Sequence, residues 1–282
     1  QRIAGMNKTT WALVVIAALA VFGALFFYRY RLYVQQQEPV AAVATPAAAP
    51  PVETPPLPPP PAHYPVPESE PQTPPLPALD SSDSFLLSAL EQVLGNAAVE
   101  KYLIPKQLIH NWVATIDSLD REPVPARVRP WRAVAGQPLV HTDGGSLTLS
   151  ADNAQRYRPY IAALTAVDAG KLAGLYLHAY PLFQQAYRQL GYPKGYFNDR
   201  LIAIIDHLLA APEVTGPIQL VQPKVFYEFA DPSLEQLSWG QKLMIRIGSE
   251  NEAAVKAKLR EIRAAIVARA PAEAPAETTA TP

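Results

Sequence analysis

The side chains of this sequence that could do chemistry are carboxylates and tyrosines. Asp199, Asp206, Glu228 and Asp231 flank its most apolar stretch. Two carboxyl groups at a suitable separation, one kept protonated by desolvation, could carry acid/base hydrolysis of a glycan such as peptidoglycan. Ordinary roles compete for the same residues: Asp199 and Asp231 stand where helices should begin, and Glu228 has Lys224 and Arg200 as candidate partners. Seven tyrosines between Tyr157 and Tyr196 could stack on sugar rings, although at helical spacing such rings more often fill a core or its edge. Polar groups gather beside turns at Tyr192, Tyr196, Asn198, Asp199 and Arg200, together with Gln222, Lys224 and Glu228. These eight residues are the candidate ligand-binding site.

No catalytic residue is assigned, because the sequence contains no G-x-S-x-G, H-E-x-x-H, Walker A, G-x-G-x-x-G or EF-hand spacing. His63, His110, His141, His178 and His207 are scattered, none with a second histidine three or four residues on, so no metal or cofactor is implied. There is no cysteine, which excludes disulfides and thiol catalysis. Lys plus Arg (24) balances Asp plus Glu (25), which argues against nucleic acid as a partner. The basic run of Arg121, Arg127, Arg129 and Arg132 is either a connector paired with surface carboxylates or an edge for an anionic polymer.

The elements that must position these residues centre on Tyr180 to Leu209, where Gly191, Pro193 and Gly195 separate two apolar-periodic runs as a helix–turn–helix would. Upstream, Trp11 to Tyr28 is apolar without an ionisable group, and its 18 residues span about 27 Å, close to a bilayer core. It reads as a transmembrane helix with aromatic and basic flanks, following a short cytoplasmic tail (1–10) in which Met6 looks like the natural start. The bulky residues after it make a poor signal-peptide cleavage site. From Leu32 to Glu100 there is no Lys or Arg, which favours translocation of the rest into a periplasm. Sixteen prolines between Pro39 and Pro77 make residues 29–82 a disordered, Pro-rich linker, about 120 Å long if its proline stretch were fully extended.

The folded domain is expected over residues 83–269, with a disordered tail at 270–282. The Asp80-Ser81-Ser82-Asp83 cluster precedes the striped run FLLSALEQVL, a second helix covers Ala97 to Leu103, and a third starts at Pro105. Leu139 to His141 and Ser146 to Leu149 read as two short strands joined through Thr142-Asp143-Gly144-Gly145, a hairpin that must lie on the helices. Pro159 and Asp168 open two further helices, Pro181 should kink the second, and Leu234 to Ile247 reads as one helix containing Gly240. Ser249 and Glu252 read as an S-x-x-E capping box for the last helix. The fold class is therefore mainly α: a bundle-like periplasmic domain of about eight helices with one small β-hairpin.

The stretches YPLFQQAYRQLGYPKGYFNDRLIAIIDHLL, VQPKVFYEFADP and GQKLMIRIGSENEAAVKAKLREIR, with NWVATIDSL and RYRPYIAAL, resemble a bacterial family catalogued as domain of unknown function 3014. The resemblance runs from about Phe85 to Ile266 and includes the layout of anchor, Pro-rich stalk and domain. Trp239 stands where that pattern leads one to expect a small residue. It implies a membrane-anchored protein with no established activity and no functional residues to carry over. The functional expectation is an inner-membrane, single-pass adaptor or scaffold that binds an envelope protein or the cell wall. A peptidoglycan hydrolase is the first alternative, and a coupling protein of the TonB type the second. The second is disfavoured because the membrane helix lacks an ionisable residue.

Overall fold

The computed structural model describes residues 63–66 and 75–270. The expected membrane helix, most of the Pro-rich linker and residues 271–282 lie outside them. By contacts the chain falls into two units, 1–58 and 59–282, and every described residue belongs to the second. No helix among the described residues is long and apolar enough to cross a membrane.

Packing begins upstream of the first long helix, where Leu79 is buried in a single 3-10 turn and Leu76 packs against the same core. Helix α1 (Asp83–Leu94) follows, burying Leu86 and Leu90 and stopping at Gly95, whose φ of 83° suits a residue without Cβ. Helix α2 (Asn96–Tyr102) is short, and α3 (Leu108–Ser118) starts three residues later than Pro105 suggests. The reason lies on α1: the Asp83 carboxylate accepts the backbone N–H of Gln107 at 2.7 Å and of Leu108 at 2.8 Å. Gln107 takes a left-handed φ of 49° to present them. Asp83→Ala is expected to cost about 1–2 kcal/mol, since it leaves two donors at a helix start without their acceptor. Urea denaturation checks this, and an unchanged midpoint would refute it.

Helix α4 (Arg158–Thr165) has Pro159 in its first turn. Asp168 caps α5 (Ala169–Gln189) by accepting the Lys171 N–H at 2.7 Å, and that helix runs on through exposed Pro181. Helix α6 (Phe197–Leu209) buries Phe197, Asn198, Ile202, Ile204 and Ile205. The expected single helix from Leu234 to Ile247 is instead two, α7 (Pro232–Glu235) and α8 (Trp239–Arg246), because Ser238 leaves helical geometry to accept the Gln241 N–H. Gly240 sits where α8 meets the end of α3. A Cβ there would fall 2.7 Å from the Leu119 carbonyl oxygen, whose partner is the Gly240 N–H. Helix α9 (Ser249–Val267) packs along α4, α5 and α6.

The single hairpin expected from the sequence is part of a larger sheet. Strands β1 (Val140–Asp143), β2 (Ser146–Leu149), β3 (Gln219–Val221) and β4 (Glu228–Phe229) form one antiparallel sheet in that order. The register pairs Thr142 with Leu147, Leu147 with Leu220, and Leu220 with Phe229. Strands of three and two residues separated by Pro223 are too short to show alternation, so only their pairing makes them visible. Leu220 and Phe229 close against Ile245 of α8, which covers one face of the sheet.

Candidate functional site

The turn between α5 and α6 is built by one buried amide. Gln184 donates from Nε2 to the Gly195 carbonyl at 2.7 Å, while its Oε1 accepts the Phe197 N–H and the Tyr180 hydroxyl, each at 2.8 Å. Tyr187 and Tyr192 stack at 4.5 Å, and Gly195 leaves the room that a Cβ, 3.0 Å from the Tyr187 ring, would take. Phe197 then enters the core, stacked 5.7 Å from Phe183. The tyrosines expected as core or core edge are mostly that. Burial pushes the Tyr180 hydroxyl up to about 12 and that of Tyr176 well above its ordinary value.

The eight candidate residues divide into three groups. In the first, Arg200 donates from Nε to Asp117 Oδ1 at 2.8 Å, from its terminal nitrogens to both Asp120 oxygens at 2.7 Å, and to the Asp117 carbonyl. The Tyr192 hydroxyl donates to Asp117 Oδ2 at 3.1 Å, and Arg121 ion-pairs with the same carboxylate. Burial works against the Arg200 charge, but the two aspartates outweigh it and raise its pKa. The hydrogen bond from Arg200 in turn holds Asp120 below the usual carboxylate range.

The second group is Tyr196, Asn198 and Asp199, and it holds the segment His63–Val66. Asp199 Oδ1 accepts the Tyr64 N–H at 2.7 Å, and Asn198 Nδ2 donates to the Tyr64 carbonyl at 2.9 Å. His63 Nδ1 lies 2.7 Å from Asp199 Oδ2, and its ring lies 4.5 Å from that of Tyr196. Tyr176 donates to Asn198 Oδ1 from below at 3.0 Å. Surface clefts of about 490 and 450 Å³ flank this seat, the first between Pro65, Val66, Tyr180, Pro181 and Tyr196, the second between Tyr64, Tyr196 and Asp206.

Gln222, Lys224 and Glu228 form the third group, on the β3–β4 hairpin. Among the described residues no hydrogen bond, ion pair or ring contact joins them to α6. Gln222 bonds the Val225 carbonyl, and Val225 and Phe226 stand 78% and 80% exposed at the hairpin tip. The proposed pairing of Glu228 with Lys224 or Arg200 does not form: Arg200 is taken by α3, and Glu228 lies in β4 opposite Val221.

The other carboxylates are occupied as well. Asp206 receives Arg263 at 2.7 and 3.0 Å. Asp231 caps α7, and the Ser233 hydroxyl and N–H hold it below its ordinary pKa. Among the described residues no three His, Asp or Glu side chains gather as a metal-ion set. Of the basic run, Arg121 is spent on Asp117, and Arg129 lies over the Trp239 ring at 5.2 Å.

Below the polar face of α6 lies a cavity of about 300 Å³ lined by carbon from α1, α3, α4, α5, α6 and α9.

A family model described as a protein of unknown function, DUF3014, matches residues 108–263. The chain belongs to the DUF3014 family. No curated protein and no solved structure matches it. The DUF3014 match opens at the first residue of α3 and closes inside α9, so it takes in the Arg200–Asp117–Asp120 group and the Gln184 clamp. Within it the sequence reading missed Asp117, Asp120 and Gln184. Asp117 did carry a signal: it falls four residues after Val113, on the apolar stripe of α3, and a carboxylate there demands a partner. His63 and Tyr64, upstream of the DUF3014 match, carried no such signal.

Proposed function

We propose that this protein is a non-catalytic adaptor of the bacterial envelope, tethered to the inner membrane by Trp11 to Tyr28 and gripping an extended, proline-containing peptide segment at the start of α6. The observation that carries this reading is the capture of both main-chain groups of one residue, Tyr64, by Asp199 and Asn198, with Pro65 next in the chain. Reading N–H and C=O of the same residue is how a domain holds a peptide whose side chains need not be fixed, and adjacent rings then supply preference. The chain's own linker occupies that seat, and a partner segment of the same chemistry would use it in exchange. The hydrolase alternative is weakened because Asp199, Asp206 and Asp231 all serve as hydrogen-bond acceptors with named partners.

The test uses the chain with residues 61–67 deleted, which removes the captured main-chain groups and vacates the seat. A labelled peptide of sequence PAHYPVP should bind it, and adding Asp199→Asn should weaken that binding at least about tenfold, as loss of a charge-assisted hydrogen bond would. Absence of peptide binding, or indifference to Asp199→Asn, rejects the peptide seat. Release of soluble fragments from purified peptidoglycan by the native chain, abolished by Asp199→Asn or Glu228→Gln, would replace the adaptor with a hydrolase.

A further inference from the structure

We propose that the helical core holds a single acyl chain, roughly ten carbons of it, in the cavity beneath α6. This rests on the cavity and not on the peptide seat. The cavity measures about 300 Å³, and if a methylene takes about the ~30 Å³ share of a water molecule, roughly ten fit. Close-packed helices normally leave few spaces larger than a water, and this one lies where six helices meet.

The lining selects the chemistry. No charged side chain lines it, and the only polar side-chain atoms on its walls belong to Trp112 and Tyr176. The Tyr176 hydroxyl is already donated to Asn198. A water inside would find almost no partners, which keeps such a space dry and suited to hydrocarbon. A head group has nothing there to meet its charge, so an amphiphile must enter tail first.

The placement selects a chain over a compact ring. The walls are drawn from three separate core clusters: Leu86 and Phe197 belong to one, Leu208 and Leu259 to a second, and Leu201 and Ile266 to a third. A space whose walls come from three clusters suits an occupant that can bend to follow them. Its walls are mostly leucine and isoleucine side chains from facing helices, which can adjust around a flexible tail.

Trp112 lines the cavity and can report on it. The experiment uses the full chain held in an amphipathic polymer, with Trp11→Phe to silence the tryptophan of the expected membrane helix, and a bromine-substituted dodecanoate as the probe. Saturable quenching of tryptophan emission is expected, reversed by excess unlabelled dodecanoate and absent when Ala173→Leu and Leu175→Phe fill the space. The filled variant should keep its helical circular dichroism and unfold at a temperature no lower than the parent. Absence of saturable quenching in the parent, or quenching that survives in the folded filled variant, overturns the proposal. Should the filled variant lose its helical signal, Trp112→Phe decides: loss of the competable quenching with that one ring supports the cavity as the site, and persistence overturns it.

Discussion

Glu252→Ala is expected to cost about 3–5 kcal/mol, a large part of the stability of a domain this size. Glu252 and Lys256, one turn apart on α9, are only 2% and 3% exposed. Lys256 Nζ lies 2.9 Å from Glu252 Oε1, with its hydrogen bonds directed to the Ala211 carbonyl at 2.7 Å and to Glu213 at 3.2 Å. Removing the carboxylate leaves an ammonium in the core with a single, largely exposed counter-charge. Desolvation then goes uncompensated, which is why truncating one partner costs far more than the pair contributes. Urea denaturation followed by circular dichroism measures the loss, and the double replacement Glu252→Leu with Lys256→Met should recover most of it. A small effect of Glu252→Ala, or a double variant no better than the single, would refute the account. The same geometry corrects the capping box expected at the start of α9. The N-cap is Gly248, with a φ of 89°, and no side chain caps the helix. A carboxylate buried against Lys256 is not available to fold back on Ser249.

Arg200→Met should lower stability by about 3 kcal/mol and flatten its dependence on acid. Asp117 is nearly buried, and with Arg200 gone it keeps only Arg121, which is half exposed, and the Tyr192 hydroxyl. The pH dependence follows from Asp120, which the Arg200 hydrogen bond holds below its ordinary value of 3.8. A carboxylate with a depressed folded-state pKa adds stability that is fully present above its unfolded pKa and is lost as pH falls through the folded one. The native chain should therefore lose stability between about pH 4 and lower values, and Arg200→Met should lose less over the same interval. Thermal unfolding near neutrality and near about pH 3 separates the cases. An equal acid-induced drop in both proteins would show that Asp120 does not draw on Arg200.

Not all of the candidate site was legible in advance, and the reason is sequence separation. Tyr192, Asn198 and Arg200 stood out because turn glycines and a proline surrounded them, and the structure places all three in hydrogen-bonded groups at the start of α6. Their partners lie far off in the chain: Asp117 on α3, and Tyr64 more than a hundred residues upstream. Lys224 and Glu228 looked equivalent to them by composition, yet a short strand carries them to the sheet. Gly240 reads from the sequence as one more residue inside a single helix, and its role is close approach to Leu119.

What the amino-acid sequence determined by itself is whatever depends on neighbours within about one helical turn: the apolar stripes of α1, α5 and α6, the Asp168 cap, the Gly95 stop and the glycine turn of the first hairpin. Family membership also belongs there, since it rests on the order of whole words of sequence. The tertiary structure alone decided the two extra strands, the late start of α3 under Asp83, the burial of Glu252 with Lys256, the seat of Tyr64 and the cavity. Each of these is a free-energy balance between groups that meet only when the chain is folded. Pairing, desolvation and unfilled volume have no period along the chain by which they could be read.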